Sequence, residues 1–170
     1  MTAPLSITPW NSPALWKEAN TSLDISLKRN RGALGVARGH ARQLRRLLEQ
    51  TFLIMENLCR QTCPSCTDVC CQRAWVWIDF RDLLFLHLAD IALPDRQLLC
   101  RQGDRCRYAG PDGCRLERIQ RPFVCTWYVC PEQSRLLYKR PTEKHNLART
   151  LEQIKDLRKQ MEIAYIQAST

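Results

Sequence analysis

Residues 34–58 read Leu34-Gly-Val-Ala37-Arg38-Gly-His40-Ala41-Arg42-Gln-Leu44-Arg45-Arg46-Leu47-Leu48-Glu49-Gln-Thr51-Phe52-Leu53-Ile54-Met55-Glu56-Asn57-Leu58. Ala37, Ala41, Leu44, Leu48, Thr51, Met55 and Leu58 recur in alternating steps of four and three, which places them on one stripe of an α-helix. Thr51 is the one polar member. Residues 143–168 repeat the pattern through Leu147, Leu151, Ile154, Leu157, Met161 and Ala164 or Tyr165, with Arg158 breaking a strict heptad. Two such segments separated by a compact insert return on each other, so the spacing predicts an antiparallel helix pair packed seam to seam.

Upstream, residues 1–33 form an uneven arm carrying Pro4, Pro9 and Pro13. Ser12 followed by Pro13 predicts a helix start, with Trp16, Ala19, Leu23 and Leu27 on one face. Between the two long helices, residues 59–131 hold nearly all the cysteine. The chain has ten cysteines, nine of them from Cys63 to Cys130. Within this segment Trp75-Val-Trp-Ile78 suits a short strand. Asp79 suits a helix cap for an apolar helix over Phe80–Asp90, and Gly110-Pro-Asp-Gly113 is a turn. The expected organisation is therefore an arm (1–33), a helical stalk (34–58 and 143–168) and a cysteine-rich head (59–131). The fold class is mainly α with short β elements in the head.

Apolar residues make up 45% and charged residues 25% of the 170 residues. That composition excludes wholesale disorder. No apolar run approaches the ~20 residues that span a bilayer, and the N-terminal residues do not resemble a secretion signal. A cytoplasmic, reducing setting is the expectation, and clustered thiols in such a setting hold metal more often than disulfides. Cys63-Pro-Ser-Cys66 has the spacing of a metal knuckle. Cys70, Cys71, Cys106, Cys114, Cys125 and Cys130 bring the candidate thiolates to eight, enough for two four-thiolate sites whose partition the spacing leaves open. Sulfur-rich ligation suits iron–sulfur clusters and zinc alike. Only three histidines, His40, His87 and His145, are present to compete.

The pattern Cys63-x2-Cys66-x3-Cys70-Cys71, then Cys106-x7-Cys114, then Arg121-Pro122-x2-Cys125, resembles the zinc- or iron-chelating cysteine-cluster family (CxxCxxCC, YkgJ-like). One residue more than in that family's pattern precedes the doublet. The resemblance covers 63–125 and implies metal or iron–sulfur binding with no common reaction. Arg121, in its Arg-Pro-x-x-Cys element, is the candidate to donate to a cofactor sulfur or to brace its loop. The expected function is a metal-binding protein holding one or two iron–sulfur (4Fe–4S type) clusters, acting in electron transfer or supporting a partner enzyme. The alternative is a structural zinc module mediating protein or nucleic-acid contact. No nucleotide-binding loop, nucleophile elbow or zinc-protease motif occurs.

Lys28, Arg29, Arg31, Arg38, Arg42, Arg45 and Arg46 follow one another with no acidic residue between them. A solvated helix face fits this run better than a contact with nucleic acid or an acidic protein, and the lack of aromatic residues interleaved with the charges speaks against nucleic acid. A protein partner is expected at the helical stalk or the arm, and the seams could close within one chain or between two copies.

Overall fold

The computed structural model describes residues 8–67, 76–98, 106–110 and 113–170. Helix α1 spans Pro13–Arg29, and Ser12 caps it by accepting a hydrogen bond from the Leu15 N–H at 3.2 Å. Proline at the first helical position costs nothing there, since that N–H has no partner inside a helix. Trp16, Leu23 and Leu27 are the buried face of α1, as the spacing predicts.

Helix α2 runs Gly35–Thr62 and buries all seven seam residues plus Phe52. The polar seam member, Thr51, satisfies its hydroxyl by donating to the Leu47 carbonyl at 2.8 Å. Helix α3, Phe80–Leu88, begins with a capping box: Asp79 accepts from the Asp82 N–H, and Asp82 accepts from the Asp79 N–H. It is buried nearly all round, as expected for Leu83, Leu84, Phe85, Leu86 and Leu88.

Two-residue strands β1 (Ala109–Gly110) and β2 (Gly113–Cys114) pair antiparallel across the predicted turn. Gly113 has φ +114°, a conformation that a side chain would disfavour. A 3₁₀ turn (Arg118–Gln120) and the short helices α4 (Val124–Trp127) and α5 (Pro131–Tyr138) lead to α6, Pro141–Ser169. Helices α2 and α6 are antiparallel. Gln61, near the end of α2, accepts from Arg140 just before α6 starts. At the same end Met55 and Leu58 pack with Leu137 and Leu147.

One apolar cluster joins α1, α2, α3, α6 and the hairpin. The mainly helical architecture with minor strands is therefore present. No metal-stapled head is seen among the described residues. Among the described residues of 59–131, side-chain hydrogen bonds and apolar packing hold the segment in place. The buried amide of Gln97 accepts from the Ile78 and Leu98 N–H groups at 2.7 and 3.0 Å, and donates to the Ile78 and Pro9 carbonyls at 3.0 and 3.1 Å. The predicted strand at 75–78 is replaced by this arrangement. Residues 76–79 are irregular, and a glutamine serves Ile78 as a neighbouring strand would; Trp75 lies outside the described residues.

Arg158, which interrupts the α6 stripe, is 6% exposed. Its guanidinium donates to Asp82 and to both carboxylate oxygens of Asp79, at 3.0 and 2.9 Å for the latter. Asp82 also accepts the Phe123 N–H at 3.0 Å, and Arg158 lies 5.0 Å over the Phe123 ring. Burial pushes the Asp82 carboxyl up from 3.8 to about 6, against the opposite pull of Arg158. A carboxyl whose folded value lies above its unfolded value favours the fold most when protonated. Its contribution declines as pH rises from about 4 to 6. At neutral pH Asp82 is a buried carboxylate that depends on its arginine.

Replacing Gln97 by Leu keeps the volume but strands two buried N–H groups and a carbonyl. An unpaired buried group costs ~1–3 kcal/mol, so Gln97→Leu is expected to lower unfolding free energy by at least about 2 kcal/mol. Urea unfolding followed by circular dichroism measures this, and a loss below ~0.5 kcal/mol would show that the amide is not what holds 76–98 together.

Candidate functional site

The described cysteines fall into separate environments. Cys59, on α2, takes hydrogen bonds on its sulfur from Arg118 at 3.6 Å and Gln133 at 3.5 Å. Cys63 caps the end of α2, with the Thr62 hydroxyl 3.9 Å from its sulfur, and Cys66 follows on the surface in a turn closed by its N–H to the Cys63 carbonyl at 3.1 Å. Cys130 begins α5, and its N–H donates to Gln133. Cys106 is buried, while Cys114 and Cys125 are half-buried.

Cys106, Cys114 and Cys125 lie near enough for a charge on one to be felt by the others. Burial pushes the Cys125 thiol up to about 12, with further upward pressure from Cys106 and Cys114 and only partial relief from Arg121. Burial also raises Cys106. Both are therefore protonated at neutral pH and pack as small apolar groups. Cys70, Cys71 and Cys100 lie outside the described residues.

Among the described residues no three His, Cys, Asp or Glu side chains are grouped as a metal ion requires. The expected iron–sulfur clusters, the alternative zinc ion, and the metal-binding function built on either are corrected by this finding. The spacing in sequence is as described above, but the described sulfurs are divided between a helix end, a surface turn and an apolar interior. The arginines around the second group of cysteines bind mainly oxygen acceptors, with Arg118 also donating to the Cys59 sulfur. Arg107 donates to the Gln97 carbonyl, Arg115 to the Arg107 carbonyl, and Arg118 pairs with Glu56. Arg121 places two N–H groups on the Leu116 carbonyl, at 3.1 and 2.9 Å, which braces its loop.

A different site is formed where α1 ends, α2 begins and α3 terminates. A cleft of about 650 Å³ lies between them. Its charged walls are Asp24, Lys28, Arg31, Arg38 and Asp90, with His87 among them and Leu27, Leu86, Ile91 and Leu93 as the apolar part. The cleft owes its shape to how α3 stops. Asp90 adopts φ +51°, the Ile91 N–H reaches the Leu86 carbonyl at 2.9 Å, and the Asp90 N–H points to the His87 carbonyl at 3.4 Å. This is the left-handed helix stop usually made by glycine, here made by an aspartate, which tolerates that conformation better than most side chains.

His87 is oriented by a relay. Asn20 donates its amide to the Trp16 carbonyl at 2.7 Å, which turns its oxygen toward His87 Nε2 at 3.0 Å. Burial lowers the His87 pKa, with Asp24 opposing. The imidazole is then neutral at pH 7, protonated on Nε2, and keeps Nδ1 as an acceptor. Lys28 is paired with Asp24 at 2.6 Å. Neither Arg31 nor Arg38 makes an ion pair with a described residue. Among the described residues no helix is long and apolar enough to cross a membrane.

No family model, no curated protein and no solved structure matches this chain. The resemblance to the cysteine-cluster family is thus without support from any match, and the absence of a metal-competent group among the described residues contradicts it.

The cleft was not found from sequence. The signal available was the acid-free basic run, but nothing local shows that Arg38 meets the end of α3 or that a non-glycine residue makes the helix stop.

The environments of the thiols predict their chemistry. In the native protein, iodoacetamide is expected to alkylate exposed Cys66 at least about a hundredfold faster than Cys125, because the thiolate is the nucleophile and burial suppresses it. Peptide mass spectrometry over a time course checks this. Equal rates at the two positions would show that Cys125 is not held protonated.

Proposed function

We propose that this chain is a protein-docking module that binds an acidic partner through the basic face formed by the end of α1 and the first half of α2. The observation that carries this is a set of five arginines, Arg29, Arg31, Arg38, Arg42 and Arg46, none of which forms an ion pair with a described residue. All but Arg38 are exposed, and no acidic residue intervenes from Lys28 to Arg46. The other two cations of the run are neutralised locally, Lys28 by Asp24 and Arg45 by Glu49.

A field of one sign on a rigid helix steers an oppositely charged partner and weakens with salt. Most of the face sits on a 28-residue helix whose opposite side is fixed in the core, so binding requires little rearrangement of the scaffold. An acidic protein is favoured over nucleic acid because no aromatic ring lies among the cations to stack a base. A cytoplasmic setting belongs to the same proposal.

Fluorescence anisotropy with a labelled polyglutamate peptide tests it. Binding is expected at low salt and should weaken roughly tenfold or more between ~50 and ~200 mM salt, as screening of a multi-charge contact demands. The double charge reversal Arg42→Glu with Arg46→Glu should abolish it while the helical circular dichroism is retained. Tighter binding to a DNA duplex than to polyglutamate, or no effect of the charge reversal, would overturn the proposal.

A further inference from the structure

The basic face alone attracts any anion. The cleft at its edge has features that a simple anion does not use. Arg31 and Arg38, which form no ion pair with a described residue, offer donors to a carboxylate. His87 Nδ1 and the Asp90 carboxylate are acceptors. Leu93, 36% exposed, and half-buried Ile91 offer apolar surface beside them. Donors for a carboxylate, acceptors for N–H groups and an aliphatic wall within one cleft are the complement of a polypeptide. They are a poor complement of inorganic phosphate, which has no use for the wall.

We propose that this cleft seats a short acidic peptide segment of the partner. A carboxylate of the segment engages Arg31 and Arg38, its backbone N–H groups face His87 and Asp90, and a neighbouring aliphatic side chain lies on Ile91 and Leu93. The proposal rests on the docking function above and adds to it the chemistry of the segment that is read. Electrostatics brings the partner to the face, and the cleft distinguishes one acidic sequence from another. The left-handed conformation of Asp90 fits this role. Glycine would end α3 with less strain, and aspartate retains a carboxylate at the cleft mouth.

Two labelled peptides with the same number of glutamates separate the two levels, one with serine and one with leucine at the intervening positions. The unmodified protein is expected to bind the leucine peptide at least roughly tenfold more tightly, the increment that burial of one aliphatic side chain supplies. Leu93→Ser should remove that preference and leave the serine peptide unaffected. Arg31→Gln, an exposed position, should weaken the leucine peptide more than the serine peptide. Circular dichroism confirms that each variant is folded.

Equal affinity for the two peptides, or a preference that survives both substitutions, would overturn the cleft proposal while leaving docking at the face intact. Failure of both peptides to bind would overturn both. Full displacement of the leucine peptide by inorganic phosphate at low millimolar concentration would also overturn the cleft proposal, since the site would then select charge alone. So would loss of peptide binding on self-association seen by sedimentation, since a second copy of the chain would then be the occupant.

Discussion

The contact between Arg158 and the Asp79–Asp82 pair is the constraint on which the remaining geometry depends. It lies between α6 and the first turn of α3, with the Phe123 backbone joined to the same carboxylate and the Phe123 ring beneath the guanidinium. Three segments far apart in sequence thus meet at the buried pair of Asp82 and Arg158. Apolar surfaces alone would allow α3 to slide or rotate against α6, because its buried faces are nearly uniform leucine. A buried ion pair does not tolerate this. Misplacement leaves a charge without a partner, which costs ~3–5 kcal/mol, far more than the pair need contribute in net stability when intact. The pair therefore acts on register more than on total stability.

That register sets the functional end of the molecule. Helix α3 runs from the ion pair at its N-terminus to the left-handed stop at Asp90. The position of His87, Asp90 and Ile91 follows from where α3 is anchored. On the other side of the cleft, α1 is tied to the residues after α3 by the Trp16 indole donating to the Pro94 carbonyl at 3.1 Å, and to α6 by Ser26 meeting the Tyr165 hydroxyl at 2.9 Å. The cleft is thus formed between elements fixed independently to one core, which favours a preformed binding surface.

The long helices were legible from sequence because their signal is local and repeated. Every residue of the α2 seam is buried, and the α1 cap at Ser12 is made as the residue types demand. Arg158 was visible only as a break in a stripe, since its partners lie more than seventy residues away and Asp79 already had a sufficient local reason to exist as a helix cap. Gln97 carried no signal at all. A glutamine substituting for a neighbouring strand cannot be told from a surface glutamine until the backbone around it is placed. The cysteines misled for a related reason. Spacing such as Cys63-x-x-Cys66 shows which sulfurs could meet, whereas burial and neighbours decide whether they do. In the described residues those factors place Cys59 against Arg118 and Gln133, and Cys106 and Cys125 in apolar surroundings. The cleft was hidden by the same non-locality, and by a helix stop made without glycine.

The most direct test of this hierarchy is a double-mutant cycle on Asp82→Leu and Arg158→Leu, with unfolding free energies measured in urea at pH 7. Arg158→Leu leaves the Asp82 carboxylate buried without its cation and is expected to cost ~3–5 kcal/mol, Asp82→Leu should cost less because Arg158 keeps Asp79 as a partner, and the double variant should recover at least about 1 kcal/mol relative to the sum of the singles. Strictly additive losses, or single substitutions costing less than ~1 kcal/mol, would show that α3 is held in place without the ion pair.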